Sequence, residues 1–281
     1  MENKNYPFLD NAFQGKNEWW RYLITIILSI LILPISHKGI IDLVLLPDPY
    51  RFYIAFGVSS ILTLAVTCLL IKYLHKKSII LLVTTKDKID YTEILKGLGI
   101  WFCLMIIYYL ILYFFYPDDF EIAFNSKVLW KVFFMALVFV PIKTTWEEIF
   151  FRGYLLQGVG LKVKRPIINI LIVSVFFAVI HGFSTIGLIY TFTFGFTFGI
   201  IVVLKNSIER VAGIHAMNNF FLYIFVRHEE ALFGDGATLI TTKGDAMDTL
   251  QIVLIIISLI MVLYISFGRR LIISIKNLSK L

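Results

Sequence analysis

Two adjacent carboxylates, Glu147 and Glu148, and a guanidinium four residues on, Arg152, stand inside a largely apolar run over 128–160. Charge at that depth is costly, roughly 2.5–3.5 kcal/mol per residue on insertion scales. Glu148 and Arg152, at i and i+4, satisfy each other on one helical face. Glu147 points about 100° away from Glu148 and is left over. A dry surrounding disfavours its charge, which makes it a candidate general base. The plainer reading, a buried ion pair locking two helices, carries less weight, because charge inside a membrane is functional by default.

Two histidines extend the set. His181 follows the run Phe176-Phe177-Ala178-Val179-Ile180, and His215 lies four residues before Asn219 on the same face of its helix. Each of these groups needs a partner in hydrocarbon, and the least costly solution is convergence. The other histidines, His37, His75 and His228, fall in predicted loops and are expected to be solvated. Two Glu, two His, Asn and Arg together suit hydrolysis. A carboxylate takes a proton from water, while imidazole and amide donors hold the oxyanion formed when that water attacks a carbonyl. The same residues contain a second possibility, because His, His and Glu with an open position is a catalytic zinc pattern: Glu147, His181 and His215 would be its ligands. Asn219 is a poor zinc ligand and a good amide donor, which favours the metal-free route. No H-E-x-x-H is present. Gly57-Val58-Ser59-Ser60 only approaches a rhomboid-type serine motif, and Gly234-Asp235-Gly236 lies in a predicted outer loop, which argues against an aspartyl dyad.

The elements that must carry these residues are hydrophobic helices. The 281-residue chain is 59% hydrophobic and 16% charged, with mean hydropathy +0.84. Soluble domains run nearer half apolar and a quarter charged. An all-α polytopic membrane bundle of about eight transmembrane helices is expected, over residues 22–35, 52–71, 98–116, 128–160, 166–183, 188–204, 211–226 and 249–267. The first apolar run has no small-residue cleavage site after it and reads as a retained span. Pro141 is expected to kink the fourth span just ahead of the Glu pair. Lys131 is placed to snorkel, and Lys143 to mark water reaching the kink. In the sixth span Phe192, Phe194, Phe196 and Phe198 alternate as in a strand. An open strand cannot span lipid, so a helix is expected, with Gly195 and Gly199 permitting close packing.

The loops alternate in sign. Those over 72–96, 162–165 and 205–210 and the tail over 269–281 are basic; those over 38–51, 117–127 and 227–248 are acidic or mixed. The positive-inside rule then puts both termini in the cytoplasm. The net charge of +7 therefore speaks of anionic lipid, not nucleic acid. Residues 1–21 read as an interfacial segment, the centre of the 72–96 loop as dipping into the interface, and the tail as lying along the membrane surface. Cys68 and Cys103 lie in apolar runs and read as small buried hydrophobes. No long repeat divides the chain, so residues 1–281 form a single integral membrane domain.

The three clusters resemble a known family. Glu147-Glu148-Ile149-Phe150-Phe151-Arg152 fits E-E-x-x-x-R, Phe177-Ala178-Val179-Ile180-His181 fits F-x-x-x-H, and His215-Ala216-Met217-Asn218-Asn219 fits H-x-x-x-N. In this order they resemble the motifs of the CPBP intramembrane proteases, the CAAX-prenyl-endopeptidase and bacteriocin-processing (Abi) family, over about residues 128–226. The resemblance implies that Glu147 activates water aided by His181, that His215 and Asn219 stabilise the oxyanion, and that Glu148 and Arg152 orient the set. It implies an eight-span bundle with a cavity open to the cytoplasm, and endopeptidase action on peptides or prenylated C-termini. The short loops suggest a bacterial source, favouring peptide maturation or immunity over prenylated substrates. The competing expectation is a membrane immunity or peptide-binding protein of the same fold without catalysis.

Overall fold

The computed structural model describes residues 6–47, 50–122, 126–181, 185–228, 240–242 and 249–278. It is all-α in architecture. In chain order the helices are α1 (Pro7–Asp10), α2 (Trp19–Leu43), α3 (Tyr50–Leu69), α4 (Ile80–Val83), α5 (Tyr91–Phe115), α6 (Ser126–Glu147), α7 (Leu156–Gly160), α8 (Pro166–His181), α9 (Thr185–Lys205), α10 (Glu209–Ile224), α11 (Thr249–Phe267) and α12 (Leu271–Leu278). Each of the eight predicted spans falls on a helix. Six are long and apolar enough to cross a membrane, while α8 and α10 have 16 residues each. Helix is the form these apolar runs must take, because every backbone N–H and C=O then finds its partner inside the segment. The aromatic-rich α9 follows this rule against its strand-like alternation. Its Thr191 and Thr193 hydroxyls donate back to the Gly187 and Ile189 carbonyls, both at 2.7 Å.

Glycines set the closest helix contacts. α5 and α10 cross with Gly97 against the Arg210 carbonyl and Gly213 against the Ile94 carbonyl, leaving no room for a Cβ on either. α8 and α9 meet where Gly195 lies on Ser174 and Gly199 on Ile170. These are the two glycines expected to permit close packing.

The chain departs from regular helix at two places. A π-helical stretch, Leu70–Leu74, closes α3, and a longer one, Glu148–Leu155, joins α6 to α7. α6 runs on through Pro141, and a wider winding begins further along, at Glu148. π-Helical segments are rare and often mark functional sites.

Several loop expectations need correction. Residues 6–21 do not lie free at an interface. Tyr6, Phe8, Leu9 and Ala12 are buried, the Phe8 amide donates to Asn206 Oδ1 at 3.3 Å, and Asn11 Nδ2 donates to the Leu81 carbonyl at 2.9 Å. Trp19 and Trp20 remain exposed, as headgroup-level tryptophans would. The centre of the 72–96 loop packs on the protein. Its Leu82 is buried against Gly153 of the long π-helical stretch, where a Cβ would stand 2.6 Å from the Leu82 carbonyl oxygen. His75 is not solvated. It is 1% exposed and bonds the Tyr154 hydroxyl at 2.8 Å and the Lys16 carbonyl at 2.8 Å. Burial without a counter-charge pushes this imidazole below its usual range.

The basic loops share one end of the bundle. There the His75 carbonyl accepts from the Lys16 amide, Thr84 bridges Ser207, and Arg210 Nη1 donates to Ser266 Oγ at 3.2 Å. At another place the loops after α5 and α10 pair in a small sheet. Strand β1 (Phe120–Ile122) runs antiparallel to β3 (Ile240–Thr242), which runs parallel to β2 (Val226–His228). Strands of three residues leave no periodicity to read in the sequence. Gly234-Asp235-Gly236 and the end of the tail lie outside the described residues. Cys68 and Cys103 are free thiols; Cys103 is exposed rather than buried, so for that residue the expected packing role does not hold.

Candidate active site

The Glu pair stands where α6 gives way to the π-helical stretch, α8 delivers His181 from its last turn, and α10 delivers His215, with Asn219 one turn further along that helix. Glu147, Glu148 and Arg152 are 1%, 0% and 2% exposed. Glu147 Oε1 lies 3.0 Å from His181 Nε2, and Glu147 Oε2 lies 3.4 Å from His215 Nε2. His215 Nδ1 lies 2.7 Å from Glu148 Oε1, which also accepts from Arg152 Nη1 at 3.2 Å. The imidazole of His215 therefore stands between the two adjacent carboxylates. Phe177, Phe198 and Phe151 surround the guanidinium at 4.2, 5.3 and 5.8 Å from their ring centres. Cation–π attraction in this dry setting supplements one ion pair.

Glu147 is not left over, as the i,i+4 argument had it. Lys143 Nζ stands 2.6 Å from Glu147 Oε1 and supplies the missing counter-charge. This lysine does more than mark water near the proline. The signal was in the sequence: Lys143 precedes Glu147 by the same four residues that separate Glu148 from Arg152.

Hydrogen-bond partners restrict where protons can be. His181 Nδ1 lies 2.9 Å from the Phe177 carbonyl, which only accepts, so Nδ1 carries a hydrogen. Its Nε2 faces a carboxylate oxygen at 3.0 Å. One further proton must lie between Glu147 and His181 for that contact to be a hydrogen bond. The second oxygen of Glu147, Oε2, is buried and has no hydrogen-bond partner in the protein. His215 Nε2 stands 3.4 Å from it, without hydrogen-bond geometry.

Asn219 is oriented from behind. Asn218 Nδ2 donates to Asn219 Oδ1 at 3.1 Å, while Asn218 Oδ1 accepts from Trp101 Nε1 at 3.1 Å, and the Tyr190 hydroxyl also bonds Asn218. With its oxygen engaged, the side-chain amide of Asn219 has its NH₂ left to donate. Trp101, Tyr190 and Asn218 could not have been found from spacing, because α5 and α9 bring the first two to the site.

The zinc set fares less well. Glu147, His181 and His215 do meet, but among the described residues no three His, Cys, Asp or Glu side chains are arranged to hold a metal ion. A zinc ligand set must be anionic or neutral and aimed at one point. Here Lys143 occupies Glu147, and the imidazoles aim at different carboxylate oxygens. The donor set does not fit zinc.

The family description "Type II CAAX prenyl endopeptidase Rce1-like" matches residues 127–221. That segment runs through Glu147, Glu148, Arg152, His181, His215 and Asn219, and also through Lys143 and Asn218. A curated relative, the uncharacterized protein YyaK of Bacillus subtilis (strain 168), is 31% identical over 262 aligned residues, covering 83% of this chain and 87% of the relative. The chain belongs to the Rce1-like family. This is a family of CAAX-type membrane endopeptidases, and membership accounts for buried charge in an apolar chain. The match to YyaK takes the likeness beyond the motif segment, into the helices that carry no motif.

Proposed function

We propose that this Rce1-like protein is an intramembrane endopeptidase that hydrolyses a peptide bond near the C-terminus or leader of a membrane-associated peptide or protein, by a metal-free glutamate mechanism. The observation that supports it is the meeting of Glu147 with His181 and His215, at 3.0 and 3.4 Å. Glu147 Oε2 takes the proton of the attacking water, and His181 shares the proton already held on that side. Glu148 fixes His215 through Nδ1, so that Nε2 is turned toward the developing oxyanion, as a buried carboxylate orients a catalytic histidine. Asn219 adds the amide donor. Arg152 holds Glu148, and Lys143 offsets the charge of Glu147.

The same reading takes residues 1–281 as one domain with eight crossings, α8 and α10 being the two short ones, and with both termini in the cytoplasm. The clustering of the basic loops at one end of the bundle supports that orientation. Proteins of this kind that mature or neutralise small peptides would serve bacteriocin processing or immunity.

The test is comparative peptidomics of membranes and medium, wild type against Glu147→Gln, with protein level and melting checked in detergent. Substrates that accumulate uncut in the variant support the proposal. An unchanged peptide profile, or a biological effect that survives the substitution, leaves only peptide binding without cleavage.

A further inference from the structure

A second polar feature lies away from the carboxylates. A cavity of about 540 Å³ opens after the π-helical end of α3, lined by Lys72, Lys76, Lys77, Ser78, Ile79 and Ile80. No acidic side chain lines it. Lys72 and Lys76 are exposed and make no ion pair among the described residues, and Lys72 lies over the Tyr73 ring at 5.4 Å. Lys77 is 6% exposed, and its ammonium donates to Gln157 Oε1 at 2.7 Å. One neutral amide satisfies one of three N–H donors. An ammonium buried with so little compensation is costly unless an anion joins it.

We propose that this cavity is a phosphate-binding site, occupied by the headgroup of an anionic phospholipid. Three lysines line an open cavity, and no acidic side chain on its walls balances their charge. Ser78 adds a hydroxyl donor, and Ile79 and Ile80 give the cavity an apolar side. Lys72 and Tyr73 belong to the last turn of the span Tyr50–Leu74, so the cavity stands at the level of lipid phosphates. Exposed Tyr73, Trp19 and Trp20 mark that level with aromatic rings. Burial has already brought the Lys77 ammonium down to about 8; a bound phosphate would push it back up. Gln157, the partner of Lys77, lies in α7 directly after the π-helical stretch that holds Arg152. Occupancy is therefore linked through one hydrogen bond to the helix of the carboxylates.

The experiment uses the full chain, delipidated in detergent and titrated with phosphatidylglycerol or phosphatidylcholine, and counts bound lipid by native mass spectrometry. Lys72→Gln/Lys76→Gln is compared with Lys88→Gln/Lys162→Gln, which removes the same charge from exposed positions elsewhere in the basic loops. Wild type is expected to retain phosphatidylglycerol over phosphatidylcholine, and the cavity variant to weaken that retention roughly 10–30-fold at about 1 kcal/mol per lysine. The control pair should match wild type. A parallel titration with inorganic phosphate separates the sources. Competition at millimolar phosphate, lost in the cavity variant, keeps the anion site and gives it a soluble phosphate compound as occupant. Equal weakening in both double variants, or none in either, overturns the proposal.

Discussion

Gly213→Ala tests how tightly the site depends on helix approach. A Cβ at Gly213 would stand 3.0 Å from the Ile94 carbonyl carbon and 3.0 Å from the Leu98 amide nitrogen, and closer still to the Ile94 carbonyl oxygen. All three are backbone atoms and cannot rotate aside. Restoring ordinary separations of ~3.5 Å or more requires α10 to move from α5 by on the order of 1 Å. His215 is two residues further along α10, and its bond to Glu148 is 2.7 Å, so the shift carries it beyond hydrogen-bond range. A misplacement of ~1 Å costs about 100-fold in rate, or about 2.7 kcal/mol of transition-state stabilisation. Overpacking costs stability by about 1–3 kcal/mol. Gly99→Ala, on the facing helix α5, is the control, because a Cβ there meets nothing within 4 Å. That variant should keep full activity and gain roughly 0.5–1 kcal/mol from helix propensity. The assay is cleavage of the natural substrate in membranes, with thermal melting in detergent to separate loss of chemistry from loss of fold. If Gly213→Ala cleaves at the wild-type rate, the contact between α5 and α10 does not set the catalytic geometry.

Three further outcomes are expected. Lys143→Met removes the ammonium 2.6 Å from Glu147 Oε1 and should lower kcat about 100-fold, within the range for loss of one electrostatic partner, whereas Lys143→Arg should recover most of it; equal rates in both variants would rule out a charge role. Asn218→Leu should lower kcat about 10–100-fold with little change in KM, because the amide of Asn219 loses its orientation, and Trp101→Phe, which loses only the outer bond, should lower it less. Lys77 is held at about 8 against an ordinary 10.5, so the unfolded chain binds more protons between those values and delipidated protein should gain up to about 3 kcal/mol as pH rises from about 8 to about 10.5. Melting curves of Lys77→Met across that range should lack the rise.

Spacing alone made most of the site legible. Glu148–Arg152 and His215–Asn219 are separated by four residues, and helix geometry puts such residues on one face whatever surrounds them. The same rule reaches Lys143–Glu147, although the nearby Pro141 draws the lysine toward a different reading. Hydrophobic runs long enough for lipid located the helices, since a backbone in hydrocarbon has few other forms. The buried state of His75 and Lys77 was not legible. Each lies in a polar segment, and its burial comes from Tyr154 and Gln157, about eighty residues away.

The sequence by itself determined that the chain is helical and membrane-borne, which side chains carry charge into the apolar interior, and which of them share a helix face. Those properties follow from local periodicity and from the cost of unpaired polar groups in lipid. Tertiary structure alone decided that His215 stands between both glutamates, that Trp101 of another helix holds Asn218, and that the N-terminal residues pack against Leu81 and Asn206. Such contacts depend on how closely separate helices approach, and at α5 and α10 that distance is set by two glycines on opposite sides of one crossing.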